Sequence, residues 1–238
     1  MGFYGYYRQP TVAEIRSQAE KTIKNAEKKG MVWEPVIIDG KKIAKSWWGD
    51  AWCKNLERYA DYGNRLERGR KYVRACAVVD LKISEGKVNS KVIGSGKNPY
   101  EIEINISPIS KEKVRPIIKK CSGKLANAEA LISGKFPDEL KELFMEKGGL
   151  FPTPKEIKFD CSCPDWADMC KHVAASLYGV GAKLDKNPVL FFTLRGIDMS
   201  EFIDTALASR VESMLKNADA KSSRIMDKNE IEGLFGVL

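Results

Sequence analysis

The sequence has little histidine, no long apolar run and no export signal. Its 238 residues include 1 histidine, beside 40 Lys and Arg and 32 Asp and Glu. No stretch approaches the roughly 18 apolar residues that a membrane-spanning helix needs. The opening segment, MGFYGYYRQP, has neither the basic start nor the apolar centre of a secretory signal. We therefore expect no membrane partner and a cytoplasmic location, where thiols stay reduced unless a metal binds them.

Positive charge is concentrated in the first 100 residues. They hold 20 Lys and Arg against 11 Asp and Glu, whereas residues 161–238 hold 9 against 11. A basic half attracts polyanions, nucleic acid first among them. A solvated lysine-rich surface explains the same counts, so charge alone leaves both interpretations open.

Apolar spacing predicts helices near the N-terminus, followed by a sheet. A capping box formed by Thr11 and Glu14 predicts a helix that ends at Gly30. A tryptophan-rich helix is predicted from Ser46 to Tyr62. Alternation then predicts a first strand whose buried face runs from Val73 to Ile83.

Two more strands complete a three-stranded antiparallel meander with one buried face, and helices follow it. In chain order the later elements are strands at 88–92 and 100–106, a helix after Ser110, helices at 124–133 and 137–147, a strand from Glu156 to Cys161 and a helix from Ile203 to Met214. The segment NADAKSS is the best candidate for a linker.

Three of the 6 cysteines and the single histidine fall close together, in the pattern Cys161-x-Cys163-x6-Cys170-x-His172. On a strand, the side chains of Cys161 and Cys163 leave the same face. Residues i and i+2 of a helix point in nearly opposite directions, so Cys170 must precede or begin the helix that contains His172. Three sulfurs and one nitrogen then suit a tetrahedral Zn²⁺, and four protein ligands leave no open position. We predict a structural zinc site.

Other uses of these residues fit the pattern less well. A Cys161–Cys163 disulfide would close a very small, strained ring. Haem attachment uses C-x-x-C-H, which is absent, and an iron–sulfur cluster usually takes four cysteines, although histidine replaces two in some. We interpret Cys53, Cys76 and Cys121 as core residues. One alternative function stays open: oxidation of Cys161 or Cys163 would release zinc, which describes a thiol-based redox-responsive protein.

The residues available for catalysis are few. Cysteine proteases and serine hydrolases need a histidine base, and His172 is already assigned to the metal. A zinc deaminase has His-x-Glu, whereas Val173 and Ala174 follow this histidine. The sequence also lacks the Gly-x4-Gly-Lys-[Ser/Thr] loop that binds ATP. We predict a protein without enzymatic activity.

The pattern C-x-C-x6-C-x-H, followed by VAASLYG in helical register, resembles the SWIM zinc finger, in which C-x-C ends a β-hairpin and C-x-H opens a helix. Further segments resemble a bacterial and archaeal SWIM-domain protein: SWWGDAW, NRLERGRKYVRACAVVDLKISEGKV, VIGSGKNPYEIEI, KNPVLFFTLRGID and LFGVL. The resemblance implies that the four residues of the pattern are the zinc ligands. It also implies a module that binds DNA or protein, associated with a Swi/Snf-type helicase-like ATPase, and it brings no catalytic residues.

Five cations cluster just before the predicted meander. They are Arg65, Arg68, Arg70, Lys71 and Arg74, and Glu67 is the one acid among them. We expect this group to bind DNA weakly and without sequence preference, with Tyr72 available for stacking. A basic turn whose cations pair with surface carboxylates is the alternative.

The cysteine-rich segment itself is not basic. It carries Asp165 and Asp168 against Lys171, whereas a surface that contacts phosphates is normally basic. We therefore expect it to bind a protein partner through exposed Trp166 and Met169, since Trp and Met are common at interfaces.

The expected fold class is α+β, in which N-terminal helices pack on an antiparallel meander and a small ββα SWIM zinc module follows. The predicted division is residues 1–150, the zinc module at 151–184 and a helical segment at 185–238. If the strand before Cys161 joins the main sheet, this division is one of convenience.

Overall fold

The computed structural model describes residues 10–58, 63–96, 98–122, 141–146 and 149–200, together with single positions between 203 and 215. The helices are α1 (Val12–Lys28), α2 (Trp47–Glu57), α3 (Gly63–Arg74), α4 (Lys111–Ser122), α5 (Lys141–Met145), α6 (Lys171–Lys186) and α7 (Val189–Leu194). The strands are β1 (Val78–Ser84), β2 (Lys87–Val92), β3 (Tyr100–Ile106) and β4 (Ile157–Cys161). Helices packed on an antiparallel sheet confirm the predicted α+β class.

The sheet has four antiparallel strands in the order β1-β2-β3-β4. Strand β4 pairs with β3 in a register that sets Phe159 opposite Ile104 and Cys161 opposite Ile102. The predicted strand before Cys161 therefore extends the meander and shares its core. Residues 151–184 contain one strand, β4, where the expected ββα unit has two, and the strand beside β4 is β3 of the meander.

The first two helices begin where they were predicted to begin, and the first has the predicted capping box. The Thr11 hydroxyl accepts the N–H of Glu14 at 3.2 Å, and the Glu14 carboxylate accepts the N–H of Thr11 at 2.7 Å, which completes the capping box. Ser46 caps α2 by accepting the N–H of Gly49. Within α2, Trp52 and Leu56 are fully buried, as expected of core anchors.

The first strand begins at Val78, so the prediction that it begins at Val73 was wrong. Residues 63–74 form helix α3, and the backbone of Cys76 (φ 57°) then takes the left-handed conformation that commonly ends a helix. Helix α3 lies so close to α6 that a Cβ at Gly69 would fall 2.5 Å from the Cβ of Ala174. This packing favours a helix here, although the alternation of apolar residues from Val73 predicts a strand. Cys76 is half-buried in the turn, so it is not the core residue we expected.

Helix α6 is the centre of the core. It is buried on almost every side, as is typical of a helix that is apolar all round. The sheet packs against it together with α2 and α3, and Leu177 and Val180 are fully buried. A buried hydrogen bond of 2.6 Å between the hydroxyls of Ser176 and Ser90 joins the helix to the sheet. The N-terminus of α6 is therefore held firmly against β2 and β3.

Other predicted helices are confirmed in part. Helix α4 begins after Ser110 and continues through Pro116, and α5 lies within the predicted helix at 137–147. The predicted helix at 124–133, the linker and most of the helix at 203–214 lie outside the described residues. Among the residues that the structure describes, no helix is both long and apolar enough to cross a membrane.

Candidate metal centre

Strand β4 and helix α6 carry the two halves of the cysteine–histidine pattern. Strand β4 ends at Cys161, and the ladder continues one residue further, because the N–H of Ser162 donates to the carbonyl of Glu101 and the N–H of Glu101 donates to the Ser162 hydroxyl. These bonds fix Ser162, which lies between Cys161 and Cys163. Helix α6 begins directly after Cys170.

The four candidate ligand atoms converge. The sulfurs of Cys161, Cys163 and Cys170 and a ring nitrogen of His172 all lie within 4.8 Å of one another. The Nδ1 of His172 lies 3.7 Å from the Sγ of Cys170. Zinc bonds of about 2.3 Å to sulfur and about 2.0 Å to nitrogen, at the tetrahedral angle, separate those atoms by about 3.5 Å. The predicted cluster is confirmed, and its residues fit a bound metal ion.

Cys170 takes the position that the spacing predicts, as the N-cap of helix α6. Its backbone is extended (φ −76°, ψ 171°), and its sulfur accepts the N–H of Val173 at 3.5 Å. Because Cys170 lies outside the helix, its side chain can turn towards that of His172 in the first helical turn. Both residues are buried, whereas Cys161 and Cys163 are half-buried.

Two tyrosines enclose the imidazole of His172. The ring of Tyr100 lies against it at 4.6 Å between centroids, and Tyr72 meets it edge-on at 5.6 Å. The ammonium group of Lys171 also lies over the Tyr72 ring. Tyr72 is only 9% exposed, so the expectation that it is available for base stacking was wrong. No local pattern predicts this enclosure, since Tyr72 and Tyr100 lie on different elements, α3 and β3.

Hydrogen bonds and burial within the cluster shift the pKa values of the three thiols in different directions. The hydrogen bond from Cys161, then the contact with His172 and the Val173 N–H, lowers the pKa of Cys170 to about 4 although burial opposes this. The same bond with Cys170, together with burial, raises the pKa of Cys161, and burial raises the pKa of Cys163. Without metal, the negative charge of the cluster is therefore favoured on Cys170.

The loop between Cys163 and Cys170 carries the two residues that we expected to bind a partner, and it exposes one and buries the other. Trp166 is 98% exposed, in agreement with the expectation. Met169 is 0% exposed, so its assignment to a binding surface was wrong: its side chain packs into the core beside the metal loop. Asp165 pairs with Arg65 through two hydrogen bonds of 2.6 and 3.1 Å, which attach the loop to helix α3.

The five cations of the basic group all lie on helix α3 rather than in a turn. Arg65 pairs with Asp165, Arg70 with Glu57 and Lys71 with Glu67. Two of these acids come from elsewhere in the chain, so Glu67 is not the only acid near the group. In the described part of the chain, Arg68 and Arg74 have no carboxylate partner, although the Arg74 guanidinium donates to the carbonyl of Lys41.

Comparison with known proteins identifies one relative. The chain is 34% identical over 179 residues to the uncharacterized protein Rv2102 of Mycobacterium tuberculosis. The match covers 74% of this chain but 64% of that protein, so the chain spans less than two thirds of its relative. No protein-family model and no solved structure matches the chain.

Proposed function

We propose that this chain is a zinc-dependent binding protein in which Cys161, Cys163, Cys170 and His172 hold a structural Zn²⁺. The observation that carries the proposal is the convergence of three sulfurs and one nitrogen within 4.8 Å. Thiolate and imidazole are the ligands of structural zinc, and four of them complete its coordination. With no position left for water or substrate, the site stabilises the fold and catalyses no reaction.

Metal analysis tests the zinc site directly. Purified chain is expected to hold one zinc per molecule, counted by native mass spectrometry and elemental analysis. Replacing Cys163 by Ser should remove the zinc, whereas replacing Cys53 by Ser, a buried cysteine outside the cluster, should leave it in place. A wild-type protein without metal, or with iron instead of zinc, would overturn the proposal.

The exposed tryptophan supports a protein partner. The side chain of Trp166 is almost fully in water, on a loop that two candidate ligands and the Arg65–Asp165 ion pair hold in place. Exposed tryptophans on ordered loops are common binding anchors. The resemblance to SWIM proteins points to a Swi/Snf-type helicase-like ATPase as the partner. A Trp166→Ala variant that still captures this ATPase as well as the wild type would contradict the assignment.

Helix α3 supports a weaker interaction with DNA. Arg68 and Arg74 have no carboxylate partner in the described structure, so their charge is available to phosphates. Replacing Arg68, Arg70 and Arg74 by Ala should weaken DNA binding and flatten its dependence on salt. The matched control is Lys54→Ala, which removes one exposed cation from α2. Binding that survives the triple change undiminished would exclude helix α3 as the DNA surface.

Partial exposure of Cys161 and Cys163 favours the second candidate, a redox-responsive zinc protein. Hydrogen peroxide, together with two protons from solvent, would take two electrons from the thiolate of Cys170 and that of Cys161 or Cys163, forming a disulfide and two molecules of water and releasing the zinc. Stoichiometric release by peroxide, with rebinding after reduction by a thiol, would support this candidate. Zinc that stays bound under the same treatment would exclude it.

A further inference from the structure

Gly94 lies directly against the imidazole of His172. It follows strand β2, and its backbone is outside the left-handed region, so the turn itself does not require glycine. A Cβ at this position would lie 2.7 Å from the Nε2 of His172 and 2.4 Å from the Cε2 of Tyr100. Real Cβ atoms do not approach other atoms so closely. Glycine is therefore required here by the space that the Tyr100 ring and the imidazole occupy.

The imidazole has neighbours on several sides. Tyr100 and Tyr72 contact the ring, and Gly94 lies beside Nε2. In the described residues, Nε2 is buried and has no hydrogen-bond partner. The other nitrogen, Nδ1, is the one beside Cys170. Metal-binding histidines usually have a hydrogen bond on the second nitrogen that fixes the ring, and here close packing takes that role.

We propose that Gly94 is a positioning residue for the metal site: by having no side chain, it leaves the space in which His172 presents Nδ1 to the metal. The proposal depends on the zinc site proposed above. The nearest atoms to a Cβ at Gly94 all belong to Tyr100 and His172. An alanine would therefore displace the imidazole, or displace the tyrosine that fixes it.

The test measures the zinc affinity of the full-length chain by competition with a chromophoric chelator. Gly94→Ala is expected to weaken zinc binding by about 10–100-fold, the usual effect of disturbing groups that orient a metal ligand. Gly63→Ala is the matched control, because a Cβ at Gly63 has no neighbour within 4 Å among the residues that the structure describes. With Co²⁺ in place of zinc, Gly94→Ala should keep the sulfur-to-metal charge-transfer band and change the visible d–d bands, because nitrogen is the ligand disturbed.

Repeating the measurement in a protein that lacks His172 distinguishes a role of Gly94 in positioning the imidazole from a general loss of stability. In a His172→Ala protein, the three thiolates still bind zinc, with a lower affinity that the competition assay measures, and no imidazole remains to be positioned. Gly94→Ala should therefore cause no further loss of zinc affinity in this background. An equal loss in both backgrounds, or wild-type affinity in Gly94→Ala alone, would overturn the proposal while leaving the zinc site intact. A wild-type chain that binds no zinc would overturn both proposals.

Tyr100→Ala provides the test if Gly94→Ala does not fold. It removes the ring that packs on His172 and adds no atoms. It is expected to weaken zinc binding in the wild-type background and to have no further effect in the His172→Ala background. Equal losses of zinc affinity with and without His172 would contradict the proposal that the packing of Tyr100 and Gly94 positions the imidazole.

Discussion

The Nδ1 of His172 lies 3.7 Å from the Sγ of Cys170. The same sulfur accepts the N–H of Val173 and so caps the helix that carries the histidine. Cys170 therefore has two roles, one in the proposed metal site and one in the secondary structure. Because a hydroxyl caps a helix but does not replace a thiolate on zinc, substitutions can separate these roles.

The first prediction concerns two substitutions of Cys170. Cys170→Ser and Cys170→Ala should both lose zinc, because each removes one of the four ligands. In the presence of a chelator, the serine variant should be more stable than the alanine variant by about 1 kcal/mol, the usual value of an N-cap. Urea unfolding of the two metal-free proteins measures the difference. Equal stability would show that the cap contributes nothing.

The second prediction is that zinc binding at pH 7 releases protons from two of the three cysteines. The hydrogen bond from Cys161 and the contact with His172 lower the pKa of Cys170 to about 4, so this residue is already a thiolate. The pKa values of Cys161 and Cys163 are raised, so both must lose a proton to bind. Affinity should therefore fall about 100-fold per unit of decrease in pH around neutrality.

Calorimetry in buffers of different ionisation enthalpy measures this proton count. A release of three protons, with affinity falling about 1,000-fold per pH unit, would mean that Cys170 is protonated in the metal-free protein. Burial raises the pKa of Cys53 to about 12. A Cys53→Ser variant should therefore give the same count as the wild type.

The parts of the structure that could be predicted from sequence depend on local signals. The capping box of Thr11 needs only its own first turn, and alternation over 100–106 needs only strand β3. The metal cluster was predictable for the same reason. Residues i and i+2 of a strand, here Cys161 and Cys163, point to the same face. Residues i and i+2 of a helix do not, so Cys170 had to lie outside the helix that contains His172.

The rest depends on contacts between distant parts of the chain. Residues 73–77 alternate as a strand does, yet they form the end of helix α3 and the turn after it, and the close approach of Gly69 to α6 favours the helix. Arg65 finds its carboxylate partner, Asp165, 100 residues away. Met169 and Trp166 are both apolar and three residues apart, and only tertiary packing decides which one is buried.

The third prediction compares these two apolar residues. Met169→Ala should lower the free energy of unfolding by about 2–5 kcal/mol, because it leaves a cavity in the core. Trp166→Ala should change it by less than about 0.5 kcal/mol, because the indole is 98% exposed. Urea unfolding of the zinc-bound proteins measures both. A large loss of stability in Trp166→Ala would show that the indole is packed in solution and is not a free binding anchor.

Arg195 and Glu156 form an ion pair in which the arginine side chain is buried. The Arg195 side chain is 1% exposed, and its guanidinium donates to the Glu156 carboxylate at 2.9 Å and to the Ser107 carbonyl at 2.6 Å. It therefore joins the chain after β3 to the chain before β4. A buried guanidinium is costly without its carboxylate partner.

The fourth prediction is that Glu156→Gln destabilises the fold by about 2 kcal/mol at pH 7, the scale of a hydrogen bond to a charged group. Burial raises the pKa of Glu156, but the Thr153 N–H and Arg195 outweigh it and leave the pKa below its ordinary value of 4.5. The carboxylate therefore stabilises the fold above that value, and this stability is lost as the pH falls through the lowered pKa. Urea unfolding of the wild type and the variant should converge in that acid range. The control is Glu101→Gln, which breaks an exposed ion pair with Lys91 and should lower the free energy of unfolding by less than about 0.5 kcal/mol. Equal losses of stability in the two variants would contradict a special role for the pair that includes the buried Arg195.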